Sequence, residues 1–424
     1  MPVALLLVDA LSPVYVSRAT LPVLWEFVRD GYAGPLQNLY AFRGIEATLF
    51  SGRTPAEHGV WAEYRPTPVQ PGPAAGPLAR LTGADKAGAL ERSARLAILA
   101  GDLLPSDRLR LDVRYVIDRA MRRGGTPAAG NLIPPALLGA FRRSIPAPIW
   151  APDSLGAVPT LFDELHAEGG SFATILHPAV RDDPDIPARL AAHLRAGERP
   201  DLWFIKFNAL DALGHRHGPS VAALGPGLAR LDRQLAAAIA ELQAAYGRRG
   251  IDVVIVSDHG MSAVARGVDV RPALAAAGRA GPGLRFFVDS TSLRAWGPPA
   301  SLAALAEELE RLPGLRLLDT AARRALGIPA DPEATGELLA SADEGCVLFP
   351  DFFRRERRAS GMHGYALVRS DAGLPYLATG PDMAALLPGH PPYDHRSVWA
   401  AVRARLGLGR ASPPAPAPAE AVLA

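Results

Sequence analysis

In this chain of 424 residues, acids and imidazoles fall where apolar runs end. Asp9 closes VALLLV, Asp211 comes shortly after LWFIKFN, and the pair Asp258-His259 follows VVIVS. Carboxylate oxygens and imidazole nitrogens are the donors that suit zinc and similar borderline divalent ions. In FNALDALGHRHGP the four-residue spacing of Asp211 and His215 lets one helical turn aim both side chains at a single point, and Gly214 and Gly218 let the backbone bend closely. Taken alone, the segment reads equally well as an Asp N-cap followed by two exposed histidines. VVIVSDHGM sets an acid beside an imidazole directly after a core strand. Buried without a partner these groups would cost several kcal/mol, and a dication removes that cost by pairing with the carboxylate and engaging the neutral ring. His363, between small residues in SGMHGYA, gains weight only as a member of such a set.

Groups so far apart in sequence need a fold to gather them. The runs at 3–9, 172–178, 202–208 and 253–260 are continuously apolar rather than alternating, which predicts strands covered on both faces, as in a parallel sheet. Between the last two, Leu228, Leu231, Leu235, Ile239 and Leu242 form one helical stripe, completing a strand, helix, strand unit. Ligands of parallel α/β sheets bind at the carboxyl edge, where Asp9, Asp211 and Asp258-His259 are expected to converge. The expected fold is therefore α/β, a mainly parallel sheet sandwiched by helices, over residues 1–410. Residues 62–150 open with the Pro/Gly-rich PTPVQPGPAAGP and continue as Arg- and Ala-rich helical segments, expected as a cap inserted over the sheet edge. A smaller irregular insertion is expected at about 283–360, and the Pro/Ala-rich tail 411–424 is expected to be disordered.

A hydrophobic share of 49% excludes wholesale disorder, and 45 basic against 43 acidic residues give no global signature of a nucleic-acid polymer as partner. The single cysteine, Cys346, excludes an intramolecular disulfide framework and fits a reducing compartment; its flanks, DEGCVLFPD, read as a buried strand. The first apolar run has no basic segment before it and is too short to span a bilayer. These features predict a cytoplasmic protein without a membrane partner and leave its oligomeric state open.

Asp9, Asp211, His215, Asp258, His259 and His363 resemble, in order and local context, the six metal ligands of the alkaline phosphatase superfamily. The chain is most similar to the type I phosphodiesterase/nucleotide pyrophosphatase branch, whose helix and following Pro and His-Gly are like TLFSGRTPAEHGVW at 48–61. The likeness spans most of residues 1–62 and 155–385. It implies an alkaline phosphatase-like core and two divalent metal ions, with zinc expected. Asp9, Asp258 and His259 would hold one ion and Asp211, His215 and His363 the other. The implied substrate is a small-molecule phosphodiester or phosphoanhydride.

One departure bears on mechanism. In the superfamily the nucleophile lies at the start of that helix, ten residues before the glycine matched by Gly52, and here that position is Phe42. A benzyl side chain cannot attack phosphorus, so the expected route is hydrolysis by metal-activated water. Ser12, three residues after Asp9, is the first substitute hydroxyl; Thr48 and Ser51 are less suited by position. A phosphoryl transferase and a metal-binding pseudoenzyme or binding module remain alternatives. Arg43, beside Phe42, is a candidate to hold a phosphoryl or carboxylate oxygen, and Arg294 in DSTSLRAW is a candidate to line the cleft. Glu46 and His58 read as helix-face and turn residues, and His217 as solvated.

Overall fold

The computed structural model describes residues 1–41, 44–67 and 141–409, apart from 146, 178, 181, 248 and 355–358, together with isolated positions between 97 and 140. Phe42, Arg43, the expected cap helices and the 411–424 tail lie outside the described residues.

Five of the strands are β1 (Val3–Val8), β2 (Tyr32–Pro35), β3 (Phe172–Ile175), β4 (Leu202–Phe207) and β5 (Asp252–Val256). With a further strand at Tyr376–Thr379 they form a six-stranded sheet in which β3, β4, β1 and β5 are parallel neighbours. Tyr376–Thr379 runs antiparallel between β5 and β2. The reason for the continuously apolar runs is visible in β1. Ala4, Leu6 and Val8 point into one core, and Val3, Leu5 and Leu7 into another. Successive strand side chains face opposite ways, so a strand covered on both faces must be apolar throughout.

Each core is closed by helices. On one face lies α3 (Val221–Tyr246), which follows α2 (Ala209–His217) and buries Leu228, Leu231, Leu235, Ile239 and Leu242. On the other lie α1 (Gly44–Ser51) and α4 (His395–Leu406), burying Ala47, Leu49 and Phe50 against Val398, Ala401 and Val402. Gly52, where α1 ends, has a left-handed φ of +66°, and a Cβ there would sit 2.2 Å from the Trp399 ring. Both requirements select glycine.

The expected cap is framed by two short antiparallel strands, Tyr64–Pro66 and Phe141–Arg143, which bring its ends together. The region at about 283–360, where RFFVDST reads as strand-like and SLAALAEELERL as helical, is built around a four-stranded antiparallel sheet comprising Arg285–Val288, Ser292–Trp296, Leu315–Leu317 and Leu338–Ala342. It has its own core, in which Phe287, Leu293, Ala295 and Trp296 pack against helices Arg271–Ala280 and Pro299–Glu310. Its short strands with polar ends concealed that order from pattern reading. Cys346 opens a buried strand, as its flanks suggested. No helix among the described residues is long and apolar enough to cross a membrane.

Candidate metal centre

The carboxyl ends of β1, β4 and β5 deliver five of the six sequence-selected residues to one place, and a loop after Gly361–Met362 brings the sixth, His363. Asp9 follows β1, and its amide donates to the carbonyl of Phe207 at the end of β4 (2.9 Å). Asp211 and His215 stand one turn apart on α2, which starts just after β4. The start of α2 is fixed by Asp183, a buried carboxylate that accepts hydrogen bonds from the amides of Asn208 and Ala209, both at 2.8 Å. An anion there satisfies amides that a helix start leaves unpaired. Burial lifts the Asp183 carboxyl to about 6 against the opposing pull of those two amides. The loop bearing His363 comes close because position 361 is glycine: a Cβ there would lie 2.4 Å from the Gly214 carbonyl.

In the first part of the site, Asp211 Oδ1 lies 3.3 Å from His215 Nε2 and 3.6 Å from His363 Nε2. The His215 Nδ1 faces the Gly361 carbonyl at 3.0 Å. A carbonyl can only accept, so Nδ1 carries the proton, and Nε2 of the neutral ring presents a lone pair to the carboxylate. His259 repeats the device: its Nδ1 donates to the Gly260 carbonyl (2.9 Å), while Nε2 lies 3.2 Å from Asp9 Oδ1. Such carbonyl contacts orient a ring for metal ligation. The rings of His259 and His363 stack at 3.6 Å.

With neutral rings oriented this way, His215 and His259 would set acceptors facing acceptors. Asp9 Oδ1 and Asp211 Oδ1 are buried and receive no hydrogen bond among the described residues. A proton or a cation must lie between such pairs. In a proton's absence a dication fits: ligand atoms ~2.0–2.1 Å from a tetrahedral zinc stand ~3.3 Å apart, close to the separations found here. Two triads can converge on an ion, Asp211 with His215 and His363, and Asp9 with Asp211 and His259, each with its donor atoms within 4.8 Å of one another. Without metal the cluster carries strongly displaced proton affinities. Burial works to lower His259, but Asp258 and Asp9 raise it to about 10. His363 is driven well down by burial and by the neighbouring His259 and His215.

The second part contains a residue that the sequence reading passed over. Lys206 projects from β4 on the face of Leu202 and Phe204, under α1, and its ammonium lies 2.9 Å from Glu46 Oε1, 3.2 Å from Asp9 Oδ2 and 3.5 Å from Asp258 Oδ2. Burial alone would depress its pKa, yet Asp9, Glu46 and Asp258 hold it well above the ordinary lysine value. Burial also tends to raise Asp9, but Lys206 and His259 hold it far below the usual carboxylate range. Asp258 spends its other oxygen on amides, Oδ1 accepting from His259 N (3.1 Å) and Ala10 N (3.4 Å). Glu46, read from sequence as a helix-face residue, is thus part of the site. The lone charge in LWFIKF was the available signal, because a two-sided buried strand tolerates a lysine only with partners.

Two expected roles are corrected by the geometry. Ser12 is fully buried and its hydroxyl donates to the Asp371 carbonyl at 3.0 Å, so it is not poised as a nucleophile. Arg294 does not line a cleft: it is 1% exposed, donates to the Tyr64 carbonyl (2.7 Å) and sits over the rings of Phe287, Trp296 and Trp61. Strand-end polarity at DSTSLRAW turns inward, where Ser292 bonds Asp289. Thr48 and Ser51 are also committed, to His58 (3.1 Å) and to the Ala47 carbonyl (2.6 Å). His58, just before the left-handed turn at Gly59, is a buried pin; Val60 N donates to its Nδ1, so its Nε2 carries the proton and donates to Thr48. His217 is exposed, as expected.

A parallel sheet with six acid and imidazole groups at its carboxyl edge defines the alkaline phosphatase class of α/β protein. Within it, the chain belongs to the type I phosphodiesterase/nucleotide pyrophosphatase family, whose model matches residues 110–366, more than half of its length. The solved structure of murine ectonucleotide pyrophosphatase/phosphodiesterase 5 is similar over 96% of both chains, at a TM-score of 0.64 and 14% identity. An inactive form of that murine protein in complex with AMP matches at 0.64 and 13% identity, covering 96% of this chain and 95% of that one. The human counterpart matches at 0.58 and 13%, covering 97% and 96%. At these identities the structures show the shared fold. No curated protein sequence matches the chain.

Proposed function

We propose that the protein is a metal-dependent hydrolase of phosphodiesters or phosphoanhydrides in small nucleotides. The observation that carries this reading is the Asp211 carboxylate facing the Nε2 atoms of His215 and His363, with donor atoms close enough to hold one cation. Family membership supports the reaction class, and the AMP complex of the murine relative supports a nucleotide as the substrate class. Carboxylate with imidazole favours zinc among common dications. Bound there, such an ion would polarise a phosphoryl oxygen and acidify water.

The chain's own residues supply the rest. Asp183 fixes the start of α2 and hence the direction of Asp211, while the Gly361 and Gly260 carbonyls hold the His215 and His259 rings with Nε2 turned inward. Phe42 offers no nucleophile, and the hydroxyls of Ser12, Thr48 and Ser51 are committed elsewhere. We therefore assign the attacking role to water, in a single displacement.

The test is hydrolysis of bis(p-nitrophenyl) phosphate and of a dinucleoside polyphosphate by protein stripped with chelator and reloaded with Zn²⁺. Multiple turnover that depends on the ion is expected. Bound Zn²⁺ without turnover of either substrate would overturn the assignment and leave a metal-binding protein without hydrolytic activity.

A further inference from the structure

We propose that Lys206 occupies the place of a second dication, so that the active protein holds one tightly bound metal ion and one built-in ammonium. The inference rests on the metal-centre reading above and sharpens it, because a site with two equivalent ions is the alternative that the six ligands alone would suggest.

An ammonium has three protons to donate, and Lys206 has three carboxylate partners: Glu46, Asp9 and Asp258. They come from three different elements, helix α1 and the loops after β1 and β5, and each is held by its own backbone. The partners therefore converge by design of the fold, not through one flexible side chain reaching out. Asp258 is engaged on both oxygens, Oδ2 facing Lys206 and Oδ1 accepting from two amides and lying 3.8 Å from His259 Nε2, and it joins neither set of donors that can converge on an ion. Asp9 divides its oxygens: Oδ2 goes to the ammonium, and Oδ1 turns toward His259. What remains for metal is one continuous patch made of Asp211, His215, His363, His259 and Asp9 Oδ1, in which both possible triads share Asp211.

Position and pattern support residence rather than chance. Lys206 continues the buried face of Leu202 and Phe204, its side chain is 13% exposed, and α1 covers it. To leave, the ammonium would have to abandon three anions in a site from which water is mostly excluded, and a dication entering beside it would meet like charge at short range. Lys206 is accordingly a positioning residue. It holds Asp9 Oδ2 and Asp258 Oδ2 in place, and so sets the direction of the Asp9 oxygen that faces the ion.

The test counts ions. Chelator-stripped protein is dialysed to equilibrium against micromolar Zn²⁺, and bound zinc per chain is measured by elemental analysis, with the double variant Asp9→Asn/Asp211→Asn, which disables both possible ion sites, as the control for binding elsewhere on the surface. Wild type is expected to retain one ion above that control, Lys206→Arg one, and Lys206→Met two. Two ions in wild type would overturn the proposal while leaving the metal-centre reading intact; none would overturn both. One ion in a folded Lys206→Met protein would also overturn it, because the lysine would then not be what limits the count. Should Lys206→Met fail to fold, the counts for wild type and Lys206→Arg decide the matter alone.

Discussion

The two halves of the site solve one electrostatic problem in opposite ways. Around Asp211, a carboxylate faces the Nε2 atoms of two imidazoles, and this set can converge on one ion. Around Asp258, the fold brings its own cation, and every oxygen of that carboxylate has a donor. The first half depends on what binds it, and the second is complete as folded. Asp9 belongs to both, one oxygen to each. The difference teaches that six ligand-type residues at a sheet edge need not be six ligands, since one ammonium redirects the residues around it.

The comparison breaks most visibly at Asp211. Asp211→Asn keeps the shape but removes the charge at the centre of both triads, and hydrolysis should fall by ~10³-fold or more, equivalent to about 4 kcal/mol of barrier. Steady-state rates in saturating Zn²⁺ check this, and a fall of less than tenfold would mean that the ion sits elsewhere.

The second half is probed without metal. Lys206→Met leaves Asp9, Glu46 and Asp258 facing one another, and loss of a buried pairing partner costs about 3–5 kcal/mol. Urea unfolding of chelated protein should show that loss, and added Zn²⁺ should recover part of it in the variant. If chelated wild type and variant unfold at the same urea concentration, the ammonium contributes nothing.

A smaller effect separates the site from its frame. Burial depresses His58 to about 4 from an ordinary 6.5, with Glu57 opposing. A depressed pKa gives stability that is present above about 6.5 and lost as pH falls through about 4. In that window one proton uptake changes stability by about 1.4 kcal/mol per pH unit. Unfolding of chelated protein at pH 4–7 should therefore show a shallower acid limb, by one proton, in His58→Gln than in wild type. Equal slopes would mean that His58 is not buried as the neutral ring.

The smallest effect is expected at Ser12. Ser12→Ala removes one hydrogen bond to the Asp371 carbonyl, worth about 1 kcal/mol, and should leave turnover within twofold. A chiral thiophosphate diester should correspondingly be hydrolysed with inversion. Retention, or loss of turnover in Ser12→Ala, would restore that hydroxyl as a nucleophile.

Much of this architecture was legible because its cause is local. A strand covered on both faces must be apolar throughout, so β1, β4 and β5 announce themselves, and the polar residues that end them mark the edge where a site can form. What escaped depends on tertiary partners. Asp183 governs the start of α2 from a distant loop, and nothing in its own neighbourhood says so. Lys206 escapes a sequence reading because its three anions come from elements 160, 197 and 52 residues away in sequence. Arg294 was placed in a cleft because polar residues at a strand end read outward, whereas here the aromatic rings of a second core enclose it.

The most direct test of the account is a titration of chelator-stripped protein with Zn²⁺, in which hydrolysis of bis(p-nitrophenyl) phosphate and bound ion are followed together. The account predicts that activity is absent without the ion, rises in proportion to the first equivalent bound and then levels, and that Asp211→Asn gains no activity at any Zn²⁺ concentration. Full activity in the stripped protein, or activity that appears only with a second equivalent while Lys206 is intact, would contradict it.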